Sequence, residues 1–447
     1  MEDEVVIPPA SGLVDDGPIS QKCKRKAERP NLCSAFCNPL YPISREAGYE
    51  DHVKSYDVMM GAINDCGHTL LSYQPSKLSA KQKRFEGRHG LYPDLDFRLF
   101  TCRAVVDWIE VQIELQKPTQ GIWINARLKR ATGCNCYAKR KADTTFTVRF
   151  QQPDFTVVNR AIDFLEQRYG LATGAMIASL EVSVDFKPKH QGSELLRRQL
   201  VGVLWRHLSP HRNLFKEGRD MPRFVWGHRA AFVAGIHPRR RNSDPIPELL
   251  LVNGEDIRPY ADATVYFGAR GAPSSWRVMD KILDQQNPRT GTKLELSATQ
   301  RRVRVEVTLG SDQLEAIGVR WLDDLRTFNF CELAHDYFRF VVPTFVDSDQ
   351  IVGMRRRLLL GAWEQERTAK FLNTGVVGLE AMDRHWETLR RRGRRELFKD
   401  MAKRGLQPKH QRTGSTFMAF TDLNKRIDMA LRKLTERIER QFLPPAP

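Results

Sequence analysis

The segment "LEVSVDF", residues 180–186, alternates apolar and polar side chains with a period of two. Because successive side chains of a β-strand point to opposite faces, one face of this segment is wholly apolar. The other face carries Glu181, Ser183 and Asp185. The pattern predicts a strand that packs one face against a hydrophobic core. At about 3.3 Å per residue its two carboxylates stand roughly 13 Å apart, too far for both to bind one ion directly.

Alternation of the same kind recurs along the chain. It predicts further strands near residues 105–115, 144–150, 263–268, 275–281 and 302–309. Helical spacing of apolar residues predicts helices at 157–169 and 193–208, and Gly170 is placed to end the first one. Strands with interposed helices predict an α+β domain, in which a largely antiparallel sheet carries its helices on the apolar face.

Two of the predicted strands add charged groups to the polar face. In "VRVEVTL" the apolar residues face the core, which leaves Arg304 and Glu306 on the exposed side. In "WRVMDK" Arg277 and Lys281 share one face of the strand. Polar side chains on the outer face of a strand are often simply hydrated, and the strand pattern alone leaves that alternative open.

The balance of charge indicates the kind of partner. The 447 residues include 71 Lys and Arg against 54 Asp and Glu, a net charge of +17. This favours a polyanion, with nucleic acid first and an anionic membrane surface second. The sequence offers no apolar run of roughly 20 residues and no amphipathic helix with an aromatic-rich apolar face. The acidic start "MEDEVV" lacks the features of a signal peptide. We therefore expect a cytoplasmic protein without a membrane partner.

Composition and periodicity divide the chain into three parts. Residues 1–48 are rich in Pro, Ser and charge and predict a flexible N-terminal arm, followed by the α+β domain at 49–312. Residues 313–447 predict a basic helical region, in which "LRRRGRRELFKDMAKRG" is the densest positive segment. We expect this segment to contact DNA phosphates, in particular through three side chains: Arg391, Arg394 and Arg395.

The order of the strands resembles a known family. A strand with spaced acids, then "TVYFGAR", "WRVMDK" and "VRVEVTL", resembles the rolling-circle replication initiation factors of plasmids and filamentous phages, to which conjugative relaxases are related. The resemblance covers roughly residues 100–312. It implies a metal-dependent site-specific endonuclease that nicks and rejoins DNA. In that reaction a tyrosine hydroxyl attacks one phosphodiester, stays joined to the 5′ phosphate and leaves a free 3′ hydroxyl.

The resemblance also implies roles for individual residues. Glu181, Asp185 and Glu306 become the ligands of a divalent metal, Mg²⁺ or Mn²⁺. The cations that offset transition-state charge become Arg277, Lys281 and Arg304.

The nucleophile is where the sequence departs from the family. Two residues before Lys281, where the family commonly has tyrosine, stands Met279. The nearest substitute is Tyr266 on the adjoining predicted strand, and Tyr260 is the next.

Several partners and alternatives follow from this reading. Origin DNA, as duplex and as single strand, is the expected partner; a host helicase, a polymerase and a second copy of the chain are further candidates. A conjugative relaxase is one alternative. The other is a non-catalytic, sequence-specific DNA-binding protein that keeps the fold without a nucleophile. The sequence has no His-hydrophobe-His triplet of the histidine-ligated nickases and no phosphate-binding loop of a fused ATPase.

Overall fold

A computed structural model describes most of the chain. The described residues are 56–60, 69–78, 85–132, 142–190, 193–210, 223–225, 233–235, 264–268, 272–287, 292–346, 354–405 and 416–442. The predicted N-terminal arm, residues 1–48, lies outside the described residues, as does Tyr260.

An eight-stranded antiparallel sheet forms the centre of the fold. In spatial order its strands are β5 (Ala142–Gln151), β4 (Phe100–Gln120), β6 (Met176–Pro188), β13 (Arg302–Gly310), β10 (Ser274–Lys281), β9 (Thr264–Phe267), β7 (Arg223–Val225) and β8 (Val233–Gly235). Six of these are the strands that alternation predicts, so the prediction that they form one sheet is confirmed.

A second antiparallel sheet joins segments from both ends of the described chain. Its strands, in spatial order, are β1 (Tyr56–Met60), β2 (Thr69–Lys77), β3 (Arg88–Pro93), β14 (Val341–Val346) and β15 (Phe417–Ala419). The last two come from the region predicted to be helical. Because β14 is almost wholly buried, it lacks the alternation that marks a half-buried strand. A separate hairpin pairs β11 (Leu283–Asn287) with β12 (Thr292–Glu295).

Seven α-helices complete the described architecture. They are α1 (Gly121–Thr132), α2 (Phe155–Tyr169), α3 (Glu194–His207), α4 (Ser311–Ala316), α5 (Glu332–Asp336), α6 (Met354–Lys403) and α7 (Thr421–Phe442). The α+β class, the antiparallel sheet and the helical C-terminal region are thus as predicted. Within the described residues, no helix combines the length and the apolar character needed to cross a bilayer.

Local signals in the sequence fix the ends of α2 and α3. The Asp154 side chain accepts a hydrogen bond from the Thr156 amide at the start of α2. The helix ends at Gly170, which has φ of 69°, a backbone conformation that favours glycine. Ser193 caps the start of α3 in the same way as Asp154 caps α2.

The helices cover the apolar face of the large sheet. Helix α3 packs on β6, β10 and β13, while α7 packs on β4. A buried ion pair between Arg197 of α3 and Asp280 of β10, 2.9 Å apart, joins helix and sheet. Helix α7 buries one apolar stripe, formed by Leu423, Ile427, Leu431, Leu434 and Ile438. Apart from Asp280, the charged side chains of β6, β10 and β13 lie on the opposite face.

Helix α6 is interrupted at Gly375, whose φ is 68°. A Cβ atom at this position would lie 2.8 Å from the backbone of Arg206 in α3. Only glycine allows both the backbone angle and this close approach. The interruption separates the first part of α6 from the second part, which carries the basic segment.

Candidate metal centre

Three carboxylates meet on the polar face of the large sheet. They belong to Asp107, Glu181 and Glu306, and the ligand atoms lie within 4.8 Å of one another. The residues come from β4, β6 and β13, which are neighbours in the sheet. Glu181 is 6% exposed and Glu306 is 1% exposed. We call these three residues the acidic cluster.

A β-bulge brings Asp107 into the acidic cluster. In the pairing of β4 with β6, Val106 lies opposite Val182 and Trp108 lies opposite Glu181, so Asp107 is an extra residue. Before the bulge, Val106 faces the core, and after it Ile109 does. The change of parity leaves Asp107 and Trp108 on the polar side, where the carboxylate reaches the glutamates of the next two strands.

A buried hydroxyl lies beside the acidic cluster. Ser183 is fully buried, and its Oγ has no hydrogen-bond partner among the described residues. It follows Glu181 on the polar face of β6 and lies opposite Glu306 in β13. Because buried polar groups are normally paired, this hydroxyl marks a place where a bound group fits. Carboxylate and hydroxyl oxygens are hard donors and suit Mg²⁺ or Mn²⁺.

The electrostatics of the acidic cluster are uneven. Burial and the neighbouring charge of Glu306 raise the pKa of Glu181 to about 7, against a hydrogen bond of 2.7 Å from the Thr308 hydroxyl. Burial raises the pKa of Asp107, but the charges of Arg304, Lys281 and Arg277 and the hydrogen bond from Arg304 together outweigh it, so the net shift is downward. One carboxyl of the cluster therefore holds a proton near neutral pH while another is ionised.

Arg277 lies between the acidic cluster and Tyr266. It is directly opposite Glu306 in β13 on one side and directly opposite Tyr266 in β9 on the other. Its guanidinium forms an ion pair with Glu306. Burial lowers the pKa of Arg277, yet Glu306 and Glu181 raise it more, so its charge is secure. Tyr266 of β9 and Arg277 of β10 are thus neighbours across one hairpin.

Lys281 and Met279 occupy the rest of the β10 polar face. Lys281 lies opposite Arg302, and its Nζ is 3.3 Å from the Asp284 carboxylate. Lys281 lies on the same face of β10 as Arg277 but four residues further along, so it is not opposite Tyr266. Met279 lies opposite Arg304 on β13 and opposite Thr264 on β9.

Asp185 is not part of the acidic cluster, which corrects the set of ligands expected from the sequence. Its two oxygens accept hydrogen bonds from Arg304 at 2.5 and 2.8 Å. A second guanidinium, that of Arg302, lies 3.0 Å away. Arg304 reaches the cluster through its other amino group, 2.6 Å from Asp107. Arg304 is thus a bridge between Asp185 and the cluster rather than an unengaged cation.

Asp107 is the cluster member that the sequence reasoning missed. Alternation of apolar residues at 109, 111, 113 and 115 predicts the strand, but its parity does not continue through 104 and 106. A charged residue at such a break is the signal of a bulge that turns its side chain to the polar face.

The basic segment lies in the second part of α6. Arg391, Arg394 and Arg395 all fall within this helix, and the side chain of Arg395 is exposed.

No protein-family model matches the chain, and no curated protein matches it.

Proposed function

We propose that this protein is a metal-dependent DNA strand-transferase that nicks one strand at an origin through Tyr266 and so starts rolling-circle replication. The observation that carries the proposal is the placement of the acidic cluster and the Tyr266–Arg277 pair on one face of one sheet. Glu306, Arg277 and Tyr266 follow one another across three adjacent strands. A phosphate beside Arg277 is then within reach of both a hydroxyl and the carboxylates' cation.

Each group has a task in the proposed reaction. Asp107, Glu181 and Glu306 would hold Mg²⁺ or Mn²⁺, with Ser183 beside them, and such a cation would polarise the phosphate oxygens. The Tyr266 hydroxyl loses its proton and its oxygen forms a bond to phosphorus. The bond from phosphorus to the 3′ oxygen breaks, and that oxygen takes a proton to become the free 3′ hydroxyl. Arg277 stabilises the negative charge that builds up on the phosphate.

Two departures from the expected roles belong to the proposal. Asp185 orients Arg304 instead of binding metal, and Arg304 in turn fixes Asp107. Lys281 contributes positive charge along the DNA path rather than at the scissile phosphate. The protein acts on DNA in the cytoplasm, and the basic segment of α6 contacts the duplex beside the nick.

The first test is a search for a covalent adduct. The purified chain is mixed with supercoiled DNA that carries its own gene region and Mg²⁺ or Mn²⁺. We expect nicked circles and a protein–DNA adduct that withstands denaturation. Tyr266→Phe removes only a hydroxyl, so both products should disappear while the fold is kept. Tyr337→Phe, which changes a tyrosine beside Trp276 on the core side, is the matched control and should nick normally.

The second test concerns the basic segment. Replacing Arg391, Arg394 and Arg395 together by Ala should weaken duplex binding and lower the slope of log affinity against log salt by up to about 3, since each phosphate contact adds about 0.9. Fluorescence anisotropy with a labelled duplex at several salt concentrations measures both quantities. If affinity and slope stay the same, the segment is only a hydrated helix face.

Met279 favours a second candidate function, that of a DNA-binding protein without catalysis. It lies on the polar face in line with Arg277, where a sulfur side chain cannot form a phosphotyrosine bond. This candidate predicts salt-dependent DNA binding but no adduct under any metal condition. A wild-type chain that binds its own origin region and never becomes attached to it would establish the second function over the first.

A further inference from the structure

Helix α1 exposes two large apolar side chains. Ile122 is 49% exposed and Trp123 is 54% exposed, in the first turn of the helix. The opposite side of the same helix is anchored, because Ile124 and Leu128 are fully buried in the core. Helix α1 is therefore a docked element whose outer face presents an indole ring to the surroundings.

The charged residues of helix α1 itself have a single sign. The helix contains no Asp or Glu, while Lys129 and Arg130 are exposed. Residues three and four apart share one face of a helix, so these two cations extend the line that begins at Trp123 and passes the exposed Ala126. No ion pair joins either cation to a carboxylate among the described residues. Arg127 has a different task, since its guanidinium hydrogen-bonds to Tyr169 of α2 and packs over its ring.

We propose that the outer face of α1, formed by Ile122, Trp123, Ala126, Lys129 and Arg130, binds single-stranded nucleic acid. The indole stacks on an unpaired base, and the two cations contact the phosphates that follow it. Aromatic stacking next to a cationic track is how single strands are held without reading of sequence. Charge complementarity selects this partner, because the face has two positive charges and no negative one.

This face is separate from the acidic cluster. Along β4, Asp107 and Gln120, the residue before α1, are 13 residues apart, which is at most roughly 40 Å at about 3.3 Å per residue, and less where β4 is irregular between Glu114 and Thr119. The proposed function explains why single strands would be present, and the inference rests on it in that respect. The face contributes binding of the strand at a distance from the chemistry, not a catalytic group.

An exposed tryptophan elsewhere in the chain provides a matched comparison. Trp321 is 36% exposed, but Arg320 packs over its ring and the acidic Asp323 and Asp324 follow it. Scattered exposed apolar residues are ordinary on protein surfaces. The two tryptophans therefore separate the effect of an exposed ring from the effect of an exposed ring in a cationic setting.

The test measures binding of the full chain to a labelled oligothymidylate by fluorescence anisotropy at several salt concentrations. Trp123→Ala should weaken binding by about tenfold or more, as expected for one stacked base. Trp123→Phe should keep most of the affinity, because it keeps a ring. Trp321→Ala should change nothing. Lys129→Ala with Arg130→Ala should lower the salt slope by about 1.4, which is about 0.7 for each phosphate contact on a single strand. Far-UV circular dichroism confirms that each variant is folded.

Several outcomes would overturn the inference. They are equal affinity of Trp123→Ala and wild type, an equal loss for Trp123→Ala and Trp321→Ala, and an equal loss on duplex and single strand. A fourth is unchanged oligonucleotide binding with lost binding to phosphatidylglycerol vesicles, which would make α1 a membrane-surface helix.

The adduct assay on the same preparations distinguishes this inference from the proposed function. A Trp123 effect without any adduct defeats the proposed function alone, and an adduct without a Trp123 effect defeats this inference alone.

Discussion

Glu181 and Asp185 stand four residues apart on the same face of β6, and their surroundings are opposite in charge. Glu181 lies beside two other carboxylates, those of Asp107 and Glu306. Asp185 lies between two guanidiniums, those of Arg302 and Arg304. Two acids on the same face of one strand thus differ in their capacity to bind a metal ion. Both oxygens of Asp185 accept hydrogen bonds from Arg304, whereas Glu181 accepts one from the uncharged Thr308 hydroxyl.

The largest effect is expected on stability, from removing Asp185, the acid that is paired with arginine. Asp185→Ala removes the carboxylate that accepts two hydrogen bonds from the Arg304 guanidinium, 2% exposed, and leaves that buried charge only partly compensated by Asp107 and Glu306, which is strongly unfavourable. We expect the free energy of unfolding to fall by about 3–5 kcal/mol, measured by urea denaturation. Adding Arg304→Met to Asp185→Ala removes the buried charge and should recover much of the loss. A fall of under about 1 kcal/mol from Asp185→Ala would mean that the ion pair is not essential to the fold.

The next largest effect is expected on metal affinity, from changing Glu181 in the acidic cluster. Glu181→Gln removes one negative oxygen from the acidic cluster and should weaken Mn²⁺ binding by about 10–100-fold in isothermal titration calorimetry. Glu110→Gln is the matched control, because Glu110 lies on the polar side of β4 but pairs with Arg149. It should leave Mn²⁺ affinity unchanged. If both variants lose affinity equally, metal binding reflects general negative charge and not the acidic cluster.

The smallest effect is a dependence of stability on pH. The pKa of Glu181 is raised to about 7, above its ordinary value of 4.5. The metal-free native state therefore binds this proton more tightly than the unfolded chain does. Its contribution to stability is full below about pH 4.5 and is lost as pH rises through about 7. We expect wild type minus Glu181→Gln to show a loss on the order of 1–2 kcal/mol between pH 5 and 8.

Urea denaturation at each pH, without metal and then with Mg²⁺, measures this difference. Saturating Mg²⁺ should abolish the slope in wild type, because a bound cation keeps the carboxylate ionised. A difference curve that is flat without metal would place the proton elsewhere in the acidic cluster.

Much of the polar face follows from the sequence, because alternation fixes the face of every residue in a strand. It places Glu181, Glu306, Arg277 and Tyr266 together once their strands are known to be neighbours. What alternation does not contain is the register between strands distant in sequence. That register, which sets Asp185 opposite Arg304, decides whether an acid is a ligand or an ion-pair partner.

Other parts of the fold could not be predicted from the two-residue alternation of apolar and polar side chains. Strand β15 has only three residues and exists through its pairing with β14, so no periodicity precedes it. The position of Asp107 depends on a bulge, which interrupts the very signal used to find strands. Sequence reasoning is therefore strongest inside regular elements and weakest where a single residue departs from them.

The bulge at Asp107 also gives β4 an unusual tolerance to shortening. In a regular strand, loss of one residue turns all side chains on one side of the gap to the wrong face. Here Val106 and Trp108 already lie opposite consecutive residues of β6, so a chain lacking Asp107 would have uninterrupted alternation through this point. Asp107 is thus an extra residue of β4 whose loss would keep the apolar side chains on the core face, while it would remove one carboxylate from Arg304.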